Sequence, residues 1–73
     1  MKKYYVTAGN NGTELGVLTE SNSKAVCRSA GRRAVNEALP NGEGSYVVHD
    51  SDTGEPIEVA EKSIRTGFCW MIR

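Results

Sequence analysis

SKAVCRSAGRRAVNEAL, residues 23–39, is the stretch that decides the fold, because it is the one long helical pattern in the chain. Apolar and small residues recur on one of its faces at 100° per residue, and polar residues typical of a helix start precede it. That face comprises Val26, Cys27, Ala30, Gly31, Ala34, Val35 and Ala38. We therefore predict a single amphipathic helix around which the core is built.

Most side chains on this face are very small. A glycine inside a helix costs about 1 kcal/mol relative to alanine, so Gly31 calls for a compensating contact. Close approach of the helix to a sheet with bulky side chains would supply one, since protein interiors leave few voids. The candidate bulky residues are Tyr4, Leu15, Tyr46, Phe68 and Trp70. Cys27 lies on the same face, which favours a buried, inert thiol over a nucleophile.

Runs with the two-residue period of strands lie on both sides of the helix. Pro40 is predicted to end the helix, and turn-forming residues occupy 9–12 and 51–55. The predicted strands cover residues 2–8, 13–19, 45–50, 56–60 and 67–72. The expected fold class is α+β, in the order ββαβββ: one domain, residues 1–73, with an antiparallel sheet of four to five strands and the helix packed on one face. The order of the strands in the sheet is left open.

One helix covers only one face of such a sheet. The pattern places Tyr4, Leu15, Val17, Tyr46, Ile57, Val59, Phe68 and Trp70 inward, and Glu55, Glu58 and Glu61 on the wet side or at the ends of the fourth strand. The outer face would hold Tyr5, Thr7, Leu18, Val47, His49, Cys69 and Met71. An outer face this apolar is typical of an association surface. One expectation is a homodimer through this open sheet face. The alternative is that the terminal strand is rotated, or that strong sheet curl lets part of this face join the core, and the inward face of strands three and five is left open.

Charge is distributed unevenly along a chain whose net charge is zero. Residues 21–39 carry four basic residues and one acidic residue, and Lys24, Arg28 and Arg32 follow one another at helical i, i+4 spacing. Arg33 lies further round the helix, where it can pair with Glu37. Residues 40–61 carry six acidic residues and no Lys or Arg. The helix is therefore basic, and the hairpin that follows it is acidic.

These two segments supply the candidate partner-binding residues. The basic set is Lys24, Arg28, Arg32 and Arg33, and the acidic set is Asp50, Asp52, Glu55 and Glu58. A basic helix face can bind phosphate or an acidic protein, and an acidic hairpin can occupy a surface built for nucleic acid. The alternative is that the two sets complement each other or are simply solvated. The sequence does not distinguish which surface makes the contact.

The sequence offers no catalytic or metal-binding motif. Residues 50–61 superficially suggest a calcium loop, but Gly54 stands where a ligand is needed and a hairpin turn explains them better. His49 and Asp50 are adjacent on a strand, so they point to opposite faces. We predict no catalytic residue, no metal and no cofactor, and hence a protein that is not an enzyme. The absence of a secretory signal or membrane-length apolar run predicts a cytoplasmic protein without membrane contact.

The layout resembles that of small phage- or prophage-encoded proteins, including those of the anti-CRISPR type. The likeness comprises a first strand of the form MKxxY, a lone Ala-rich helix and later strands with acidic turns. It covers the order of elements and no residue motif. The resemblance implies a small inhibitor that binds a nucleic-acid-handling protein complex through charged surfaces and has no active site. The alternative expectation is a nucleic-acid-binding protein that uses the basic helix face.

Overall fold

The computed structural model describes residues 2–39 and 41–73. Five strands form one antiparallel sheet in the spatial order β2-β1-β3-β4-β5, and the helix lies between the second and third strands in the chain. The elements are β1 Tyr4–Gly9, β2 Val17–Ser21, α1 Lys24–Ala38, β3 Gly44–Asp50, β4 Pro56–Lys62, a 3₁₀ turn Ile64–Thr66 and β5 Trp70–Ile72. The predicted α+β class and the element order are confirmed.

The helix begins and ends within one residue of its predicted limits. Ser23 is its N-terminal cap residue, and Leu39 follows its last turn in an extended conformation. The prediction about Pro40 concerns a residue outside the described ranges. Cys27, Gly31 and Val35 are the fully buried positions of the helix, which confirms the core of its predicted inner face. Two members of that face are wrongly predicted, since Val26 is 50% exposed and Ala38 is exposed.

Gly31 makes the close contact that its place in the helix predicted. A Cβ atom added to Gly31 would lie 2.6 Å from both Cβ and Cγ of Tyr46, far inside van der Waals contact. Tyr46 is completely buried, and Trp70 tilts against it with ring centroids 5.3 Å apart. The helix therefore rests directly on a tyrosine of β3. Leu15 and Phe68, two other predicted neighbours, are instead more than 40% exposed.

The core lies between α1 and the central strands. Cross-strand pairing puts Val6 opposite Val48 and Ala8 opposite Tyr46, and Tyr46 also faces Ala60. All five side chains are completely buried. Every one of them is on the helix side of the sheet, so β1 and β3 supply most of the sheet surface against which the helix packs.

Two β-bulges interrupt the regular alternation of the strands. In β2 the register with β1 shifts so that Val17 lies opposite Thr7 on the open face, where it is 61% exposed, while Leu18 packs against the core. The prediction for both residues is therefore wrong. A bulge leaves an extra residue in one strand, and the faces on either side of that residue no longer follow a simple period of two.

The second bulge lies in β4. His49 is opposite Pro56 and Val48 is opposite Glu58, so Ile57 is the additional residue. Regular alternation from Ala60 turns Glu58 towards the helix, and Val59 lies opposite Val47 on the open face. The prediction that Ile57 and Val59 point inward is wrong, and so is the solvent-facing position predicted for Glu58.

The open face of the sheet carries Tyr5, Thr7, Val47 and His49, as predicted. Part of this face is covered by the chain between β1 and β2, because Gly12 lies against Val47. This connection is a longer loop than the predicted turn at 9–12. It is closed by the Glu14 carboxylate, which accepts hydrogen bonds from the backbone N–H groups of Asn11 and Thr13. A hydrogen bond from the backbone of Glu14 itself, followed by those from Asn11 and Thr13, lowers the pKa of Glu14.

Candidate partner-binding surfaces

The predicted basic residues of the helix divide between two flanks. Lys24, Arg28 and Arg32 form a row along the flank above β3 and β4, and we call this row the basic strip. The Lys24 ammonium lies 5.8 Å from the centre of the Tyr4 ring, and the Arg32 guanidinium lies 5.7 Å from the centre of the Trp70 ring. A cation over an aromatic face is held by the ring quadrupole. Both cations are therefore partly used in contacts within the chain.

Arg28 is used more fully. Its Nε donates to Oε2 of Glu58 at 2.7 Å, and the Tyr46 hydroxyl donates to the same oxygen at 3.2 Å. The Arg28 hydrogen bond lowers the pKa of Glu58 and raises the pKa of Arg28. Burial, followed by the nearby Glu58 charge, raises the pKa of Tyr46. The basic helix and the acidic hairpin thus complement each other at this one pair.

Arg33 lies on the opposite flank of the helix from the basic strip. It lines a shallow groove of about 360 Å³ between the helix and β2, together with Thr19, Val26 and Ala30. The structure therefore does not bring the four basic candidates into one site. Periodicity alone indicated this separation, since Arg33 is 100° round the helix from Arg32.

The acidic candidates also divide. Glu58 is bound to the helix, whereas Asp50, Asp52 and Glu55 lie together at the turn between β3 and β4. We call these three residues the acidic tip. The turn is closed by hydrogen bonds from the Asp50 N–H to the Glu55 carbonyl (2.9 Å) and from the Gly54 N–H to the Asp50 carbonyl (2.7 Å). Gly54 has φ of +76°, a left-handed conformation that glycine adopts without strain.

The Asp50 side chain stabilises the acidic tip from within. One of its carboxylate oxygens accepts the N–H groups of Asp52 and Thr53, at 2.8 and 3.3 Å. This is the local hydrogen bonding for which aspartate is favoured in turns. Asp50 is thus committed to holding the turn, which leaves the carboxylates of Asp52 and Glu55 as its outward charges.

A side chain from the open face braces the same turn. His49 Nδ1 lies 3.1 Å from the Gly54 carbonyl oxygen, and His49 Nε2 lies 3.0 Å from Thr7 Oγ1. Because a carbonyl only accepts, Nδ1 must carry a proton, and in the neutral ring Nε2 then accepts from the Thr7 hydroxyl. Tyr5 stacks on the imidazole with ring centroids 4.5 Å apart. The turn is therefore tied to β1 through one histidine.

The sequence did not indicate this role for His49. A histidine next to an aspartate suggested only a catalytic pair, which the alternation of a strand rules out. The signal that was available is the placement of Tyr5, Thr7 and His49 on the same face, because these are direct or diagonal neighbours once β1 pairs with β3. Recognising it needed the strand order, which the sequence left open.

Asp52 and Glu55 are both exposed. In residues 2–39 and 41–73, neither carboxylate makes an ion pair or accepts a hydrogen bond. Lys2 and Lys3 are the basic residues nearest to the acidic tip in the sheet, because they precede Tyr4, the residue of β1 that lies opposite Asp50. The acidic tip is thus a fixed turn that presents two carboxylates that form no ion pair within the described residues.

A larger cleft, of about 460 Å³, lies at the other end of β3 and β4. Lys62, Arg65 and Arg73 line it, but so do Glu43 and Glu61. Arg73 forms an ion pair with Glu61, and the Lys62 ammonium donates to the Asn36 side chain at 2.6 Å. Because its charges are mixed and largely paired, this cleft is a poorer candidate than the acidic tip.

The described residues contain no group of three His, Cys, Asp or Glu side chains arranged to hold a metal ion. Cys27 is buried, and burial raises the pKa of its thiol, as expected of an unreactive cysteine. Cys69 is exposed. Within the part of the chain that the structure describes, no helix is long and apolar enough to cross a membrane.

The class that the fold defines is a small α+β domain with one helix on a five-stranded antiparallel sheet. The chain matches no protein-family model, no curated protein and no solved structure. Its function must therefore be inferred from its own geometry.

Proposed function

We propose that this chain is a non-enzymatic protein-binding domain that presents its acidic tip to a basic surface of a protein complex. The observation that carries the proposal is the state of Asp52 and Glu55, two exposed carboxylates without a cation of their own on a braced turn. A site that is already ordered loses less conformational entropy on binding. Carboxylates in water gain most from a partner that supplies complementary positive charge.

The partner class follows from the sign and rigidity of the tip. Proteins that handle nucleic acid expose lysine and arginine where phosphates bind. A rigid turn with two or three carboxylates presents the same sign of charge as a phosphate backbone and can occupy such a surface. The proposed action is therefore to block a nucleic-acid-handling complex, as inhibitors of the anti-CRISPR type do, and the proposed setting is the cytoplasm.

The experiment neutralises the tip without changing its shape. The double variant Asp52→Asn with Glu55→Gln removes two charges whose side chains make no contact that holds the turn. A tagged domain identifies its partner by pull-down from the native host, and titration of the purified partner then gives the affinity. We expect the double variant to bind at least about ten-fold more weakly and with less dependence on salt.

The matched control is Glu37→Gln with Glu43→Gln, which removes the same net charge from positions away from the tip. It should leave the affinity within about two-fold, because rim charges far from a contact act only through the screened overall field. Equal weakening by both double variants would mean that overall charge drives binding and would reject the acidic tip. So would a partner whose affinity does not change when the tip is neutralised.

A second candidate function has one specific observation in its favour. The cations of Arg32 and Lys62 both lie over the Trp70 ring, at 5.7 and 6.0 Å from its centre. Aromatic rings flanked by cations are the elements with which proteins bind single-stranded nucleic acid. This candidate predicts that a labelled oligonucleotide binds at low salt and is released on Arg32→Gln. The acidic-tip proposal requires no oligonucleotide binding, so a domain without affinity for DNA or RNA at low salt rejects this second candidate alone.

A further inference from the structure

The last ten residues of the chain, which include β5, carry a concentration of exposed apolar side chains. Ile64, Phe68, Met71 and Ile72 are 67, 44, 53 and 56% exposed, and all four belong to the 3₁₀ turn, the segment after it or β5 itself. They make up half of the large hydrophobic residues that are exposed in residues 2–39 and 41–73. β5 pairs with β4 on one side only, so its other side is an edge of the sheet.

The two edges of the sheet differ in how they are protected. β2, at the other edge, has a bulge at its start and the charged side chain of Glu20 within it. Bulges and charges are the devices that keep edge strands from pairing with other chains. β5, with the sequence Trp70-Met71-Ile72, has neither a bulge nor a charged residue. Apart from its short length of three residues, which is itself such a device, this edge is open to strand addition.

The backbone groups that face outward can be deduced from the register. The Arg73 N–H donates to the Val59 carbonyl at 2.7 Å, and Ile72 lies opposite Ala60. In an antiparallel ladder this combination makes Ile72 and Ala60 a non-hydrogen-bonded pair, and Met71 and Glu61 a hydrogen-bonded pair. The N–H and C=O groups of Trp70 and Ile72 must then point away from β4.

These outward groups complement a second copy of themselves. When two β5 strands pair antiparallel with Met71 opposite Met71, Trp70 of each lies opposite Ile72 of the other. Both of these cross pairs are of the hydrogen-bonded type, so all four outward N–H groups and all four outward carbonyls find partners. The N–H and C=O groups of Met71, the remaining residue of β5, already face β4.

The side chains fit the same register. Trp70 and Ile72 both point to the helix side, because they lie opposite Lys62 and Ala60, which belong to that face. The pairing therefore brings an aromatic ring against a β-branched side chain twice, which is a favourable cross-strand combination. On the open face the two Met71 side chains meet at the axis. Arg73, the charged residue that follows β5, would face Cys69 rather than another arginine.

We infer that two copies of this chain associate edge to edge through β5, which makes one continuous ten-stranded antiparallel sheet with a two-fold axis at Met71. A stable dimer needs on the order of 800 Å² per partner, which exceeds what three paired residues bury. The exposed side chain of Phe68, two residues before β5 in the chain, is available to add apolar area. The acidic tips lie outside this interface, so the inference stands independently of the proposed function.

The test uses proline to remove single backbone donors. Ile72→Pro deletes an outward N–H and places the ring where the second strand would bind, while the ladder to β4 is kept. Sedimentation equilibrium should show a reversible dimer for the unaltered chain and at least a ten-fold weaker association for Ile72→Pro. The substitution removes two of the four hydrogen bonds between the copies and changes both Trp70–Ile72 side-chain pairs. Ile72→Lys, which keeps the backbone, should weaken association likewise.

Amide exchange supplies the second measurement and the control. In dilute solution the N–H groups of Met71 and Arg73 should be protected and those of Trp70 and Ile72 should exchange freely. Raising the protein concentration should protect the latter pair. A chain that stays monomeric up to millimolar concentration would overturn the inference. A dimer unaffected by Ile72→Pro and Ile72→Lys would also overturn it, and would place the interface on the open sheet face.

Discussion

Gly31 is the residue on which the spacing between helix and sheet depends. Alanine is the better helix former by about 1 kcal/mol, so Gly31→Ala would stabilise an isolated helix. In the folded chain the new methyl group would lie 2.6 Å from two carbons of Tyr46, and Tyr46 is completely enclosed. We expect Gly31→Ala to lower the free energy of unfolding by about 1–3 kcal/mol, measured by urea denaturation.

Ser29→Ala is the matched control, because Ser29 is an exposed residue two positions earlier in the same helix. It should be neutral or slightly stabilising, by a few tenths of a kcal/mol. If Gly31→Ala stabilised the protein as much as helix propensity suggests, the contact between Gly31 and Tyr46 would be wrong.

Glu58 gives the fold an acid-sensitive contact. The hydrogen bond from Arg28 lowers the pKa of Glu58 in the folded state below that of an unfolded glutamate, about 4.3. The stabilisation from this pair is therefore fully present above that pH and is lost as the pH falls through it towards the folded pKa. We expect the urea midpoint of the unaltered chain to fall between about pH 5 and pH 3.

Glu58→Gln isolates this contribution from that of Glu14, whose pKa is also lowered. At neutral pH the variant should be the less stable, because Arg28 loses its charged partner. As the pH falls the two stability curves should converge, since the protonated Glu58 and the glutamine are then both uncharged. Curves that stay parallel over the acid range would contradict the role given to the pair.

At the scale of elements, the β3–β4 hairpin depends on a side chain outside its turn. His49→Phe keeps a ring to stack on Tyr5 but removes the hydrogen bonds to Thr7 and Gly54. We expect a loss of about 1–2 kcal/mol in unfolding free energy and faster exchange of the Gly54 amide. Tyr5→Phe is the control, because it keeps the stacking and removes a hydroxyl that makes no hydrogen bond within the described residues.

Unchanged exchange of the Gly54 amide in His49→Phe would mean that the turn is held by Asp50 alone. In that case the geometry of the acidic tip would depend on the backbone and side-chain hydrogen bonds of Asp50 and not on His49. The measurement therefore separates the two supports of the candidate site.

The elements themselves could be predicted from the sequence far better than the faces of the strands. The helix follows from seven small or apolar residues at helical spacing, and its contact with a large aromatic residue follows from Gly31. The inward face of β4 was predicted wrongly because apolar character placed Ile57 and Val59 inward, whereas regular alternation from the Tyr46–Ala60 pair turns Glu58 inward and Val59 outward. The faces of β2 were predicted wrongly because the strand contains a bulge, and one additional residue exchanges the two faces beyond it. Nothing in VLTES marks that residue, because bulges respond to tertiary pairing.

The candidate site, too, could be predicted only in part: its position in the chain could be predicted, but the contacts of its residues could not. The acidic tip could be located because its three residues fall within the six-residue stretch 50–55, which is rich in turn-forming residues. Glu58 was grouped with it although it pairs with Arg28, since the alternation placed it on the wet side. The brace from His49 joins residues 42 positions apart in sequence, from Thr7 to His49, and depends on β1 lying next to β3.

At the scale of the whole molecule, one core connects all the elements. Trp70, the only tryptophan, belongs to the edge strand β5 but packs against Tyr46 beneath the helix. We expect Trp70 fluorescence and the helical circular dichroism signal to follow one coincident transition in urea, as two-state domains of this size do. The measurement is made at low protein concentration so that association does not contribute.

A fluorescence transition that precedes the loss of helix would show that β5 detaches before the core unfolds. Trp70→Phe would then be the informative variant, because it keeps an aromatic contact with Tyr46 while weakening the contacts with the cations of Arg32 and Lys62.

The contact between Gly31 and Tyr46 also constrains how this chain could have diverged. Neither position can change in size alone, because a side chain at 31 and a full aromatic ring at 46 would claim the same volume. Substitution has to proceed through paired changes, in which a larger residue at the first position accompanies a smaller one fifteen residues later. Distant relatives that retain little overall identity should therefore be recognisable by this reciprocal exchange of volume between a helix and the strand that follows it.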